Sequence, residues 1–203
     1  MTYEQGALVE PAAVAVHAVR ISQMKPCDTV AVFGAGPIGL LTIMAAKAAG
    51  AAQVIAIEIS EERKRFAEKV GADIVLDPTE VDVVQEIHRL TDGGVDVSFE
   101  VAGIEKVLNQ AVNSIKHEGQ VVVVSVWEKQ AAIQPNTLLF KECNMIGSIA
   151  YRDIFPAVMN LIANGRMKAE ELITKKIRLD EVVAEGFEAL VKEKNQIKIL
   201  VQP

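Results

Sequence analysis

Residues 29–39 have the sequence TVAVFGAGPIG and contain the pattern that decides the fold. The first half is a short apolar run typical of a buried strand, and the second half has the spacing Gly-x-Gly-x-x-Gly. A helical pattern follows at once, and a second apolar run, 54–57, ends on the acid Glu58 about 20 residues later. Strand, glycine turn, helix, strand and acid in this order predict a βαβ unit that binds a dinucleotide.

Each glycine of this loop has its own predicted role. Gly34 allows the tight turn, Gly36 lets the backbone approach a pyrophosphate, and Gly39 lets the helix pack close to the strand. The start of the helix offers unpaired N–H groups to the phosphates. A glycine-rich turn that serves packing alone is the alternative, and the strand, helix and acid in register argue against it.

The acid at position 58 also indicates which cofactor is bound. A carboxylate accepts hydrogen bonds from two free ribose hydroxyls and repels a 2′-phosphate, so Glu58 favours NAD over NADP. Arg63 lies close in sequence and could hold a phosphate or contact the ribose. The equally open alternative is a solvated arginine on a helix spanning residues 61–70. With Glu58 in the ribose position, we expect NAD.

The bulk properties exclude several classes of protein. The chain has 203 residues, half of them apolar, and a net charge of −6 with a pI near 5.2, which argues against nucleic acid as a partner. No apolar run predicts a membrane span, and the start of the chain does not resemble a signal peptide. Cys27 and Cys143 are isolated, so we expect reduced cysteines in a cytoplasmic protein. The histidines, His17, His88 and His117, lack ligand spacing and are interpreted as structural or solvated.

The strand and helix pattern then repeats along the chain. Further strands are expected at 73–76, 95–100, 120–126 and 144–149, with helices at 81–90, 106–115 and around 138–141. Continuous apolar strands suit a parallel sheet that is covered on both faces. We therefore predict an α/β fold, a doubly wound Rossmann sheet of six parallel strands in the order 3-2-1-4-5-6 with helices on both faces.

The two ends of the chain do not belong to that unit. An amphipathic helix at 10–24 precedes it, and a helix at 154–164, a strand at 173–177, a helix at 180–192 and a strand at 197–201 follow it. We therefore divide the chain into a junction segment (1–24), a nucleotide-binding domain (25–150) and a tail (151–203). The apolar surface of the ends either folds back on the sheet or requires a partner.

Several segments together resemble the medium-chain zinc-dependent alcohol and polyol dehydrogenases. They are GALVEP (6–11), VFGAGPIG (32–39), AAKAAGA (45–51), GGVDVSFEVAG (93–103), ITKKIRLDEVVAEGFEAL (173–190) and KILV (198–201). Residues 122–129 and 145–152 are most similar to the (R,R)-2,3-butanediol dehydrogenase branch, near sorbitol dehydrogenase. The resemblance covers the C-terminal part of such enzymes, and it implies a separate N-terminal domain that supplies most zinc ligands and the substrate pocket.

The resemblance also implies roles for individual residues. It places the pyrophosphate on Gly34, Gly36, Pro37, Ile38 and Gly39, the adenosine ribose on Glu58 and Arg63, and the nicotinamide half on Val124, Ser125, Val126, Ser148 and Ile149. Lys198 would reach the pyrophosphate from the tail, or is a surface lysine. Glu10 would face the catalytic zinc, or is a first-turn acid stabilised by the helix dipole.

The activity implied by the resemblance is hydride transfer from a small vicinal diol, 2,3-butanediol or its ketol acetoin, to NAD, with zinc polarising the alcohol oxygen. No catalytic residue is assigned to this chain, which alone is expected to bind NAD without turnover. The alternatives are a stand-alone NAD-binding regulatory module and a zinc-free reductase of the same superfamily. A homo-oligomer, dimer or tetramer, is expected through the outer strand 144–149.

Overall fold

The computed structural model describes residues 1–193 and 195–203 and is built around two β-sheets. The strands are β1 Thr29–Phe33, β2 Gln53–Ile57, β3 Ile74–Leu76, β4 Val95–Glu100, β5 Ile115–Val123, β6 Asn144–Gly147, β7 Ile173–Arg178 and β8 Lys198–Gln202. The helices are α1 Tyr3–Ala7, α2 Val9–Ile21, α3 Pro37–Ala48, α4 Glu61–Lys69, α5 Val83–Thr91, α6 Glu105–Ser114, α7 Pro135–Lys141, α8 Phe155–Ala163 and α9 Ala189–Lys192.

The larger sheet has six parallel strands in the order β3-β2-β1-β4-β5-β6, which confirms the prediction. Strand β1 shows why its sequence is continuously apolar: Val30 and Val32 belong to one core cluster, and Ala31 and Phe33 belong to another. Helices α2, α3 and α8 contribute to the first cluster, while α5 and α6 contribute to the second. The sheet is therefore covered on both faces, as a parallel sheet requires.

The sheet has its topological switch point at the end of β1. Phe33 pairs with Ile57 of β2 on one side and with Glu100 of β4 on the other. The chain leaves β1 for α3 and β2, and the second half of the sheet begins at β4 on the opposite side. The carboxyl ends of these strands consequently flank a crevice, which is where ligands of doubly wound folds bind.

Two strands of the larger sheet, β5 and β6, differ from their predicted bounds by more than one residue. Strand β5 spans Ile115–Val123 and therefore begins five residues before the predicted start at 120. Its first residue, Ile115, pairs with Val95 of β4, and after a shift in register Gln120 pairs with Val97. The predicted strand 120–126 was wrong at its end, since the apolar run continues past Val123 into a loop. Strand β6 likewise ends at 147 rather than 149.

The N-terminal segment forms two helices instead of one. Thr2 and Gln5 form a capping box, in which the Thr2 hydroxyl accepts from the backbone N–H of Gln5 at 3.2 Å and the Gln5 side chain accepts from the N–H of Thr2 at 3.1 Å. This cap supports the short helix α1, which was not predicted. Helix α2 then ends at Ile21, three residues before the predicted end at 24.

The tail forms the second sheet, in which β7 and β8 pair in parallel. The helix predicted at 180–192 was wrong in type, because a 3₁₀ turn (Leu179–Glu181) and a π-helical turn (Val182–Glu188) precede the short α9. A methyl group on Gly186, which lies within the π-helical turn, would be 3.2 Å from the Ile177 side chain. The segment thus packs closely on β7 at Gly186.

Part of each end of the chain folds back on the sheet, which is the first of the two alternatives that the sequence left open. Met167, Leu172 and Ile197 are buried in the same core cluster as α2 and α3, so part of each end folds back on the sheet. Exposed apolar side chains nevertheless remain along the tail: Leu179, Val183, Phe187, Leu190 and Val191. Over the described residues, no helix combines the length and apolar character needed to cross a membrane.

Candidate dinucleotide-binding site

The three glycines of the loop between β1 and α3 occupy different environments. Gly34 has φ +102°, a conformation that side chains rarely adopt. A methyl group on Gly39 would lie 1.9 Å from the carbonyl oxygen of Gly34, so this position allows no side chain. A methyl group on Gly36 would meet nothing within 4 Å. The loop thus has close internal packing at two glycines and open space at the third.

The N-terminus of α3 opens on that same space. Gly36 is the N-cap and makes no side-chain hydrogen bond to the first turn, and Pro37 occupies the start of the helix. Ile38 packs against the core, which fixes the helix against the sheet. The first-turn N–H groups are therefore left for a ligand, and the helix dipole favours an anion there. These residues fit a diphosphate.

Glu58 follows β2 directly and is 7% exposed. Its Oε2 accepts from the N–H of Ala35 at 2.8 Å, while Oε1 accepts from the N–H groups of Ile59 and Ser60 at 2.8 and 3.0 Å. The carboxylate therefore fastens the glycine loop to the end of β2. Because a carboxylate offers about four acceptor positions, one remains on Oε2 for a ribose hydroxyl.

Arg63 lies in the first half of α4 and is partly buried. Its Nε atom is buried without a hydrogen-bond partner in the described structure. The neighbouring Lys64 instead binds Asp77 at 2.7 Å and Glu61 at 2.6 Å. The guanidinium group of Arg63 thus has an unused donor, whereas the Lys64 ammonium group is paired with Asp77 and Glu61.

The residues predicted to bind the nicotinamide half lie in two loops after β5 and β6. Val124 and Ser148 are buried, whereas Val126 and Ile149 are 81% and 69% exposed. Ser148 still donates its N–H to the carbonyl of Val123 at 2.8 Å, which keeps the loop after β6 next to β5. A cleft of about 530 Å³ adjoins the loop after β5, and its lining includes Ala102, Gly103, Ile104, Val126 and Trp127.

Glu100, at the end of β4, is a residue that the sequence analysis missed. It is fully buried, and its carboxyl group accepts hydrogen bonds from Ala102, Gly103 and Ser125. The available signal was its position: an acid ends β4 just as Glu58 follows β2, so the two acids flank the glycine loop on opposite sides. The predicted strand order already placed β4 next to β1, but it did not show that the Glu100 side chain turns back onto the loops after β4 and β5.

Glu10 and Lys198 remain predictions. Glu10 is exposed in the first turn of α2, and Lys198 begins β8. Within residues 1–193 and 195–203, neither side chain makes a hydrogen bond or an ion pair. Glu10 also belongs to no group of three potential metal ligands in that part of the chain. The residues around Glu10 therefore do not by themselves fit a zinc ion, which needs three or four protein ligands.

The histidines have separate environments. His17 is buried on α2, and its pKa is lowered by that burial and by the nearby charges of Arg152 and Arg20. The ring of His88 contacts a backbone carbonyl oxygen at 2.9 Å. His117 is exposed, in keeping with a solvated histidine, and its ring nitrogen lies within 4.8 Å of the carboxylates of Glu118 and Glu142. This exposed group lies near the amino ends of β5 and β6, away from the crevice.

Sheet order, switch-point crevice and glycine loop define a protein of the Rossmann class. The profile of the zinc-binding dehydrogenase family matches residues 37–164. The chain belongs to this family.

Individual relatives extend the similarity over the whole chain. It is 56% identical to (R,R)-butanediol dehydrogenase of Bacillus subtilis over 100% of its length, and it spans 59% of that relative. A crystal structure of 2R,3R-butanediol dehydrogenase from Bacillus subtilis superimposes with a TM-score of 0.97, covering 100% of this chain and 58% of the other. A putative zinc-binding dehydrogenase from Sinorhizobium meliloti, bound to NADP, has 35% identity and a TM-score of 0.91, covering 98% and 59%.

Proposed function

We propose that this chain is the NAD-binding portion of a dehydrogenase that oxidises a small secondary alcohol or vicinal diol such as 2,3-butanediol. The observation that carries the proposal is the open N-terminus of α3, where Gly36 leaves room for a diphosphate and Glu58 secures the loop. When bound, the nicotinamide ring supplies the hydride acceptor. The 56% identity to a butanediol dehydrogenase supports the choice of substrate class.

In this proposal the adenosine half of the cofactor binds at the ends of β1 and β2, and the nicotinamide half binds at the loops after β5 and β6. The first-turn N–H groups of α3 hold the pyrophosphate, and Glu58 accepts from the adenosine ribose through the free position on Oε2. Arg63, in the first half of α4, is the second residue proposed to contact this ribose. The loops after β5 and β6 form the wall against the nicotinamide and exclude water from it. Glu10 alone cannot hold a zinc ion, which needs three or four protein ligands, so no step is assigned to zinc here.

NAD is proposed over NADP because the ribose position carries a carboxylate. A relative bound to NADP shows that the family also accepts the phosphorylated cofactor, so the choice depends on local residues. A 2′-phosphate beside Glu58 would meet a buried negative charge at close range. Glu58→Gln keeps the size and one acceptor oxygen, and it is expected to raise the NADPH affinity relative to NADH by about tenfold, or ~1.4 kcal/mol.

Fluorescence titration of the chain with NADH and NADPH tests the proposal. The single tryptophan, Trp127, lines the cleft beside the nicotinamide wall and serves as the reporter. We expect saturable quenching by NADH, weaker binding of NADPH, and no NADH formation from NAD⁺, butanediol and zinc with this chain alone. Equal affinity for both cofactors would contradict the role of Glu58, and enzyme-like turnover would contradict the assignment of the chain as a cofactor-binding portion.

We also propose that the chain forms a dimer through β6. This edge strand is exposed, and the apolar side chains of Leu139, Phe140 and Ile149 next to it are 67%, 74% and 69% exposed. Such an edge pairs readily with a second copy across a two-fold axis.

The two cysteines are unpaired, which fits a reducing compartment such as the cytoplasm.

A further inference from the structure

The fully buried Glu100 makes contacts that the binding of a dinucleotide does not by itself require. Its Oε1 accepts from the backbone N–H groups of Ala102 and Gly103, each at 2.8 Å. Its Oε2 accepts from the hydroxyl group of Ser125. The backbone carbonyl of Glu100 also accepts from the N–H of Val124 at 2.9 Å and of Ser125 at 3.3 Å. One residue thus joins the loop after β4 to the loop after β5.

The two loops held by Glu100 pack closely against each other. Gly103 has φ +69°, and a methyl group there would lie 3.2 Å from the carbonyl oxygen of Val126. Trp127, which follows in the same loop, lines the cleft together with Ala102 and Gly103. A change at Glu100 or Ser125 therefore changes the separation of the two walls of this cleft.

The position of these loops in the sheet gives the contacts a function. The glycine loop and Glu58 lie at β1 and β2, so they hold the pyrophosphate and the adenosine half of a dinucleotide. Strands β4 and β5 form the other half of the sheet, whose carboxyl ends face the second nucleotide. Glu100 thus lies beneath the nicotinamide half.

We propose that Glu100, acting through Ser125 and Gly103, is a positioning residue that sets the nicotinamide wall of the crevice. The inference depends on the proposed function, since it requires that a dinucleotide binds here. The buried carboxyl group accepts hydrogen bonds from three donors. Loss of the bond from Ser125 would leave a buried carboxyl oxygen unpaired and would remove a hydrogen bond that connects the loop after β4 to the loop after β5. The adenosine half does not use these links.

The test compares NADH with ADP-ribose, which lacks the nicotinamide, in calorimetric titrations of the whole chain. Ser125→Ala removes one link without disturbing the backbone contacts, and it is expected to weaken NADH binding about tenfold while ADP-ribose binding changes less than about twofold. Ser125→Thr keeps the hydroxyl group and should restore most of the lost affinity. The matched control is Ser98→Ala, because Ser98 is buried on β4, the strand that ends at Glu100, and its hydroxyl has no partner in the described structure.

A second readout separates positioning from general stability. Emission from Trp127 in the absence of ligand should shift to longer wavelength in Ser125→Ala and in Glu100→Gln, but not in Ser98→Ala, because only the first two loosen the loop. Equal losses of NADH and ADP-ribose affinity, or no loss of either, would overturn the positioning role and leave the proposed function intact. Failure of the unaltered chain to bind either ligand would overturn both.

Discussion

At the scale of single residues, the glycines of the loop at 34–39 lack a side chain for different structural reasons, although they belong to one sequence motif. At Gly39 a side chain would overlap the carbonyl oxygen of Gly34. At Gly36 a side chain would contact no other protein atom within 4 Å. The sequence motif alone cannot make this distinction. We therefore expect Gly36 to matter for ligand binding and Gly39 to matter for folding.

A pair of substitutions tests that distinction. Gly36→Val is expected to leave the thermal midpoint within a few degrees of the original, because its backbone angles (φ −68°, ψ −177°) suit any residue, yet to abolish NADH binding. Gly39→Ala is expected to cost about 2 kcal/mol or more of stability, since the added methyl group overlaps a backbone oxygen. Calorimetric titration and thermal unfolding measure the two effects. Retained NADH affinity in Gly36→Val would refute the loop assignment.

Part of the candidate site could be predicted from local sequence patterns. The glycine loop and Glu58 follow a local sequence pattern, so their positions could be predicted before the fold was known. Glu100 was missed, because its link to Ser125 depends on the pairing of β4 with β5, although its bonds to Ala102 and Gly103 are local. Residues whose role depends on contacts between distant segments have no local signal.

At the scale of secondary-structure elements, α4 is fastened to the end of β3 by the pair Lys64–Asp77. Asp77 accepts from Lys64 at 2.7 Å and from the N–H and hydroxyl group of Thr79 at 2.8 and 2.6 Å. These bonds, that to Lys64 first, lower the pKa of Asp77 from 3.8 to about 2. The network lies next to Glu58, whose N–H donates to the carbonyl oxygen of Leu76 in β3.

This pKa shift predicts how stability depends on pH. Because the pKa is lower in the folded chain than in the unfolded chain, the contribution of Asp77 is complete above about pH 4 and disappears as the pH falls toward 2. Asp77→Asn should therefore be less stable than the original chain at pH 6, and the difference should shrink by pH 2.5. Urea unfolding midpoints at both values measure it, and a difference that is constant with pH would contradict the account.

Element boundaries were less predictable than element types. The strand order followed from the alternation of strands and helices, because parallel strands need crossover helices. The end of β5 and the π-helical turn at Val182–Glu188 were missed, since both depend on packing against other segments rather than on periodicity. Local apolar patterns continue through these points and give no sign of the change.

At the scale of the whole molecule, two sets of exposed apolar side chains are candidates for contacts with other polypeptide segments. One, the β6 edge, comprises Leu139, Phe140 and Ile149; the other, the tail surface, comprises Leu179, Val183, Phe187, Leu190 and Val191. The chain spans 59% of its Bacillus relative, so we propose that the tail surface packs against sequence corresponding to the remainder of such relatives.

The two groups predict different effects on oligomerisation. Phe140→Glu places a charge beside the edge strand and should convert a dimer into a monomer in sedimentation-velocity experiments, raising the dissociation constant at least about a hundredfold, or ~2.7 kcal/mol. Val191→Glu, on the tail surface and 86% exposed, is the matched control and should leave the dimer intact. Dissociation by Val191→Glu alone would assign the interface to the tail instead.

The central claim is that a nucleotide diphosphate binds against the backbone N–H groups at the start of α3. A crystal structure of the chain grown with saturating NADH measures this most directly. The account predicts the diphosphate within hydrogen-bonding distance of the N–H groups at 38 and 39, with a ribose hydroxyl on Glu58 and the nicotinamide between the loops after β4 and β5. A closed crevice with no nucleotide at Gly36 would contradict it.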